Sequence, residues 1–148
     1  MFDEMGRSAA ERKAIVAIQT LVTAKDEAKL QSEINKFVYG VVVGDLWGYI
    51  SFVNEAAIKM MGATGGGEFI GKHVLNFLPQ GNRGKETAEA LKAIAQSQDR
   101  KGIYRVLSKN GKQLELEVKI YLMLDSQGER IGFVDLIKDI TATNKEKA

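Results

Sequence analysis

Residues 40–57 read GVVVGDLWGYISFVNEAA, and the fold follows from how this stretch is parsed. Two apolar runs, Val41-Val42-Val43 and residues 49–53, flank the turn Asp45-Leu46-Trp47-Gly48. A connection that short makes the pair an antiparallel hairpin. The first run is apolar without alternation, the pattern of a central strand covered on both faces. Asn54 ends the second run and opens a helix over residues 55–61, where Ala56, Ala57, Lys59, Met60 and Met61 are strong helix formers. Two strands leading straight into a helix form one wall of a cup.

Working outward, the N-terminal side is helical. Residues 1–7 carry no pattern, and Ser8-Ala9-Ala10-Glu11 fits a capping box. Behind it Ile15, Ile18 and Val22 recur at helical spacing, and Leu30, Ile34 and Phe37 resume the stripe. The polar stretch 23–28 between them offers Thr23 and Asp26 as a second cap, so one long helix with a weak middle and two consecutive helices both fit. The stripe packs either on the chain's own sheet or on a partner helix.

Towards the C-terminus, residues 62–67 (GATGGG) form a loop, because glycine loses too much backbone entropy in a helix or strand. Residues 68–78 suit one or two short helical turns, closed by the single proline, Pro79. Residues 85–98 form an amphipathic helix with Ala88, Leu91, Ile94 and Ala95 on one side. The last third is β. A strand over 102–108 meets Asn110-Gly111, a two-residue hairpin signal in which both residues tolerate positive φ. From Leu114 to Leu124 apolar and mostly polar residues alternate, giving one face of each kind. Residues 125–128 turn again, and 130–140 form the last strand. The order implies an α+β fold, a five-stranded antiparallel sheet with helices on one face.

Composition narrows the function. At 148 residues the chain suits one domain with a helical extension, long enough to bury roughly 70% of its unfolded surface. A net charge of +2 without a basic block argues against nucleic acid as a partner. The absence of cysteine removes disulfides, thiolate nucleophiles and Cys-based metal sites, and agrees with a cytoplasmic location. No apolar run approaches the ~20 residues of a membrane span, and the first thirteen residues are too polar for a signal peptide.

The motifs in order resemble the PAS sensor family over residues 30–141. They are Asp45, Gly48, Ile50, Val53-Asn54 and Ala56-Ala57, then Ile70-Gly71-Lys72, Lys109-Asn110-Gly111, Gly132 and Asp139-Ile140-Thr141. The resemblance implies a PAS fold with the N-terminal helix on the far side of the sheet or on a partner. It places both N-terminal strands and the last strand in the middle of the sheet. The expected layout is a frayed 1–7, a dimerisation or signal helix over 8–37, the PAS core over 38–141, and a linker over 142–148. The family's LOV-type flavin photosensors use an adduct-forming cysteine, which this chain lacks, and a glutamine where this chain has Ile137. Haem ligation in the family's manner needs a histidine after Pro79; the only histidine is His73, which suits a structural or surface role.

Strand alternation turns the resemblance into candidate residues. If Ile137 faces the pocket, so do Phe133 and Asp135, while Val134 and Leu136 face outward and need a cover. Asp135 is then an inward carboxylate needing a partner among Lys72, Arg105, Tyr104 or a ligand, or else a raised pKa; the alternative is a bulge that shifts the alternation and leaves Asp135 solvated. The remaining wall is expected from Val43, Phe52, Ile58, Met61, Ile70, Val74, Leu75, Leu78, Leu91, Ile94, Tyr104, Val106, Leu116, Val118 and Ile120. Such a lining suits a mostly apolar ligand with one polar end. Ile15, Ile18, Val22, Leu30, Ile34 and Phe37 are expected to make the signal helix and a homodimer, with Asp139 and Thr141 relaying the signal to a kinase or other effector.

Other signals are weaker. GGEFIGK at 66–72 has P-loop spacing, but His73 stands where magnesium needs Ser or Thr and no strand precedes it. No carboxylate pair, triad or multi-His cluster marks an enzyme. The sequence therefore predicts a sensor module. A ligand-free interaction module is the second reading, and a small enzyme on a similar cup the third.

Overall fold

Three hairpin loops in this chain use one device. Asp45-Leu46-Trp47-Gly48, Ser108-Lys109-Asn110-Gly111 and Asp125-Ser126-Gln127-Gly128 each end in a glycine with positive φ. In each, the glycine N–H donates to the carbonyl of the first residue, at 3.2, 3.1 and 3.0 Å respectively. The first residue's side chain accepts backbone N–H groups: Asp45 from Trp47 and Tyr49, Ser108 from Lys112, and Asp125 from Gln127 and Glu129. This is a three-residue loop with a left-handed last position, which closes strands at their native twist. Asn110-Gly111 is thus not the two-residue turn expected, since only Gly111 takes positive φ.

The structure, a computed structural model, describes residues 9–74 and 100–141. Ser8 and the rest of 1–8, the expected helix over 85–98, Pro79 and the tail 142–148 lie outside them. The elements are α1 (Ala9–Thr23), α2 (Glu27–Ile34), β1 (Gly40–Gly44), β2 (Ile50–Val53), α3 (Glu55–Met60), a 3₁₀ turn (Gly66–Glu68), β3 (Arg100–Leu107), β4 (Gln113–Leu124) and β5 (Arg130–Asp139). Two N-terminal helices form because Lys25 adopts φ 57°, and Asp26 then caps α2 through the Lys29 N–H at 3.2 Å. No helix among the described residues is long and apolar enough to cross a membrane.

The five strands order as β2-β1-β5-β4-β3, each neighbouring pair antiparallel. β1 is central beside β5, but β2 is an edge strand, not a middle one. Its free side is partly covered by the chain after the 3₁₀ turn, where the Ile50 N–H donates to Lys72 O and the Val74 N–H to Gly48 O. The 3₁₀ turn itself is closed by Glu68. Its carboxylate accepts the Thr64 N–H at 2.6 Å and the Gly65 N–H at 3.3 Å, bonds that hold its pKa below the ordinary value.

The sheet has two buried faces. On the outer one Ile15, Ile18, Leu30 and Ile34 pack against Val41, Val43, Tyr121, Met123, Val134 and Leu136, with Val22 and Phe37 at the margin. The N-terminal stripe therefore lies on the chain's own sheet. Pairing two copies through Ile18 and Val22 would require α1 to leave it, because Ile18 is 1% exposed. Polar contacts pin α1 at both ends. Glu11 accepts from Lys119 Nζ and Tyr121 Oη at 3.2 Å each, and Gln19 Oε1 accepts the Leu124 N–H at 2.9 Å.

One side chain ties this helical layer to the strands. Asn54 is fully buried, and its Oδ1 accepts the N–H groups of Val41 and Ala57 at 2.8 and 3.0 Å. Its Nδ2 donates to Ile34 O and Tyr39 O at 2.8 and 2.9 Å. Both donors and both acceptor sites are used, which joins the end of α2, the start of β1 and the start of α3.

Candidate functional site

The inner face of the sheet and α3 line a partly open cavity of about 130 Å³. Its walls follow from the pleat. β5 turns Phe133, Asp135 and Ile137 towards it, and their cross-strand partners Gly44, Val42 and Gly40 share that face. β4 adds Leu116, Val118 and Ile120, and β3 adds Tyr104 and Val106. Ala57, Met60 and Met61 close it from α3 and its end, with Phe69 and Val74 from the following chain. The Tyr104 ring lies back over Gly102, where an added Cβ would meet Cε2 at 2.9 Å.

Several expected residues sit elsewhere. Val43 and Phe52 are opposite each other in the β1–β2 pair and belong to the outer core under α1 and α2. Val42 takes the inner position instead. A bulge also reshapes β2: Val43 pairs with Phe52 and Gly44 with Ile50, which leaves Ser51 unpaired. The bulge puts Ile50 and Val53, three residues apart, on the same face. Ile70 is 48% exposed, because Phe69 turns inward at the end of the 3₁₀ turn and its neighbour turns out. Ile58 packs against the inner core without lining the cavity. Leu75, Leu78, Leu91 and Ile94 lie outside the described residues.

Val42, Ile50, Val53, Ala57, Met60 and Phe69 line the cavity and were not expected there. Three identical valines show no alternation, and a bulge leaves no mark in composition. Ala57 and Met60, adjacent to the expected Met61 and Ile58, were within reach of a helical-face count.

Asp135 is the chemically distinctive member. Its neighbours across the sheet are Val42 and Ile120, both apolar, so no strand partner offers it charge or hydrogen bonds. Its Oδ1 is buried and has no hydrogen-bond partner among the described residues. Loss of hydration raises its pKa to about 8, so the group holds its proton at neutral pH. Of the basic partners expected, Lys72 and Arg105 are exposed, whereas the Tyr104 ring shares the cavity.

The remaining expected residues are occupied locally. His73 is outside the cavity lining, with Nε2 2.7 Å from Trp47 O and its ring edge-on to Tyr49 at 5.1 Å. Asp139 accepts the Thr141 N–H at 2.9 Å, and Thr141 Oγ1 accepts the Glu115 N–H at 2.9 Å. The end of β5 is thereby fastened to β4, the strand that touches both the cavity and α1.

Comparison with known proteins agrees with this geometry. A PAS domain family model matches residues 38–142. Among solved structures, the PAS domain of a protein from Colwellia psychrerythraea matches with TM-score 0.67 and 23% identity, over 81% of this chain and 98% of that one. A Rhodobacter sphaeroides LOV protein matches with TM-score 0.72 and 11% identity, over 82% and 70%. An RNA-binding light-oxygen-voltage receptor matches with TM-score 0.73 and 16% identity, over 84% of this chain and 36% of the receptor. At these identities the likeness is one of fold alone. No curated protein sequence matches the chain. With the family model covering most of its length and the five-stranded sheet in place, the chain belongs to the PAS domain family of sensory and signal-transduction modules.

Proposed function

We propose that the chain is a sensor module whose inner cavity takes a small, mostly apolar ligand or cofactor, and whose state is passed on through α1 and α2. The observation that carries this reading is the apolar cavity with a carboxyl group, Asp135, whose Oδ1 has no hydrogen-bond partner among the described residues. An apolar pocket with few polar groups is the usual form of a small-molecule site. The output follows from the sheet: Asp135 and its neighbours Val134 and Leu136 alternate on one strand, and the latter two support the helical layer. A ligand that shifts β5 favours one docking of that layer over another, a population shift. In this reading the module works in the cytoplasm, within a two-component or similar pathway. It signals to a kinase or other effector, through a homodimer that uses surfaces other than Ile18 and Val22.

Native mass spectrometry and a visible spectrum of the purified chain test the proposal. A stoichiometric added mass supports it, and colour would point to flavin or haem. An unliganded mass that no small-molecule library changes would overturn it. That outcome would favour an interaction module with an unused cavity, a reading supported by the exposed apolar side chains Val38 (87%) and Trp47 (70%).

A further inference from the structure

The cavity wall holds two polar side chains among the described residues, Asp135 and Tyr104; every other lining residue is apolar. The Asp135 carboxyl group enters from the sheet between Val42 and Ile120, and its Oδ1 has no hydrogen-bond partner among the described residues. A buried polar atom left unsatisfied is costly, so an occupant that satisfies it gains on one that does not. The question is which chemistry does so.

A cationic amine is the obvious candidate for a carboxylate, but the wall argues against it. An ammonium brings three N–H donors, and a buried ion pair is favourable only when the remaining donors are also satisfied. Beyond the carboxylate the described lining offers one side-chain hydroxyl, that of Tyr104. A neutral carboxyl group, by contrast, presents an O–H donor beside a C=O acceptor. Its complement is a neutral edge with an N–H beside a C=O, which satisfies both atoms and adds no further donor. Burial favours this protonated form of Asp135 at neutral pH.

We propose that Asp135 reads the polar edge of the ligand and selects a neutral amide, lactam or imide carried on an apolar body. This rests on the cavity being a ligand site, as proposed above. Asp135 and Tyr104 are the ionisable groups facing the cavity among its described lining residues, so the carboxyl group sets the pH dependence across the neutral range.

The test uses the whole chain and three ring systems of similar size, titrated by ligand-observed NMR: 2-quinolinone (a lactam), naphthalene, and naphthylmethylamine. At pH 6 the lactam is expected to bind at least tenfold more tightly than the other two. By pH 9 that affinity falls about tenfold as Asp135 ionises, while that of naphthalene stays constant. Asp135→Leu is expected to keep naphthalene and lose the preference. Asp135→Asn, which still presents a donor beside an acceptor, keeps the preference and loses its pH dependence; it decides the matter if the leucine variant does not fold. Naphthalene binding with no lactam preference would overturn this inference and leave the cavity reading standing. Tightest binding of the amine would overturn it in favour of an ion pair. Failure of all three to bind would overturn the cavity reading and this inference together.

Discussion

Asn54 Oδ1 accepts the Val41 N–H at 2.8 Å, joining the start of β1 to the residue that caps α3. The same side chain holds Ile34 O at the end of α2, so the helical layer, the sheet and the cavity helix meet on one amide. Replacing it with leucine removes a hydrogen bond from four backbone groups, of which Ile34 O still accepts the Phe37 N–H. Asn54→Leu is expected to lose at least about 3 kcal/mol in urea denaturation, given ~1–3 kcal/mol for each buried group left unsatisfied. A loss below about 1 kcal/mol would show that the node is not structural.

Ile18 is covered by the outer face of the sheet, and a carboxylate there would be buried without a partner. Ile18→Asp is expected to cost several kcal/mol or to release α1. Thermal unfolding followed by circular dichroism reads the first effect, and proteolysis near α1 the second. Unchanged melting with a loss of sedimenting dimer would instead return this stripe to a partner.

The titration of Asp135 gives ligand-free stability a definite pH dependence. Its pKa is about 8 in the folded chain and ~3.9 for an unfolded aspartate. Between those values the folded state holds a proton that the unfolded state has lost. The contribution of Asp135 to stability is therefore greatest below about pH 4, falls as pH rises to about 8, and levels off above it, whereas Glu68, with its lowered pKa, contributes in the opposite sense at acid pH. Denaturation curves at pH 5, 6.5 and 8.5 read the slope, and Asp135→Asn should flatten it. A variant retaining the full slope would assign the titration to another group.

Val118 lines the cavity opposite Gly102, over which the Tyr104 ring lies, so a larger ring at 118 must extend beside that ring into the cavity. Val118→Phe is expected to fill the space and abolish ligand uptake at a cost in stability of about 1–3 kcal/mol. Mass spectrometry and melting measured on the same sample separate blocked uptake from misfolding.

At Gly132 an added Cβ would lie 2.1 Å from Gly44 O, backbone against backbone in the sheet centre. Gly132→Ala is expected to be among the most destabilising single changes, by several kcal/mol in chemical denaturation. Near-neutral stability would mean that β1 and β5 can separate locally.

Much of this fold is legible along the chain because it depends on local periodicity. The alternation of β4 from Leu114 to Ile120 shows the cavity side, although Tyr121 and Met123 on its other side are buried under the N-terminal helices, and the three loops ending in glycine mark where strands reverse. The inward direction of Asp135 follows from the same period of two on β5.

What the chain order could not supply is anything decided between strands. Val41, Val42 and Val43 are chemically identical, so only the register with β5 assigns Val42 to the cavity and Val43 to the helical layer. The Ser51 bulge and the fourfold use of Asn54 involve partners far apart in sequence. Whether the N-terminal stripe packs on its own sheet or on another chain is likewise a choice between apolar surfaces, which periodicity cannot distinguish; the fit of Ile18 and Ile34 against Val41, Val43 and Val134 makes that choice in the tertiary structure. Amino-acid order determined the elements and their apolar faces, because these are properties of neighbours along the chain. Tertiary packing decided which face meets which, and with it where the cavity lies.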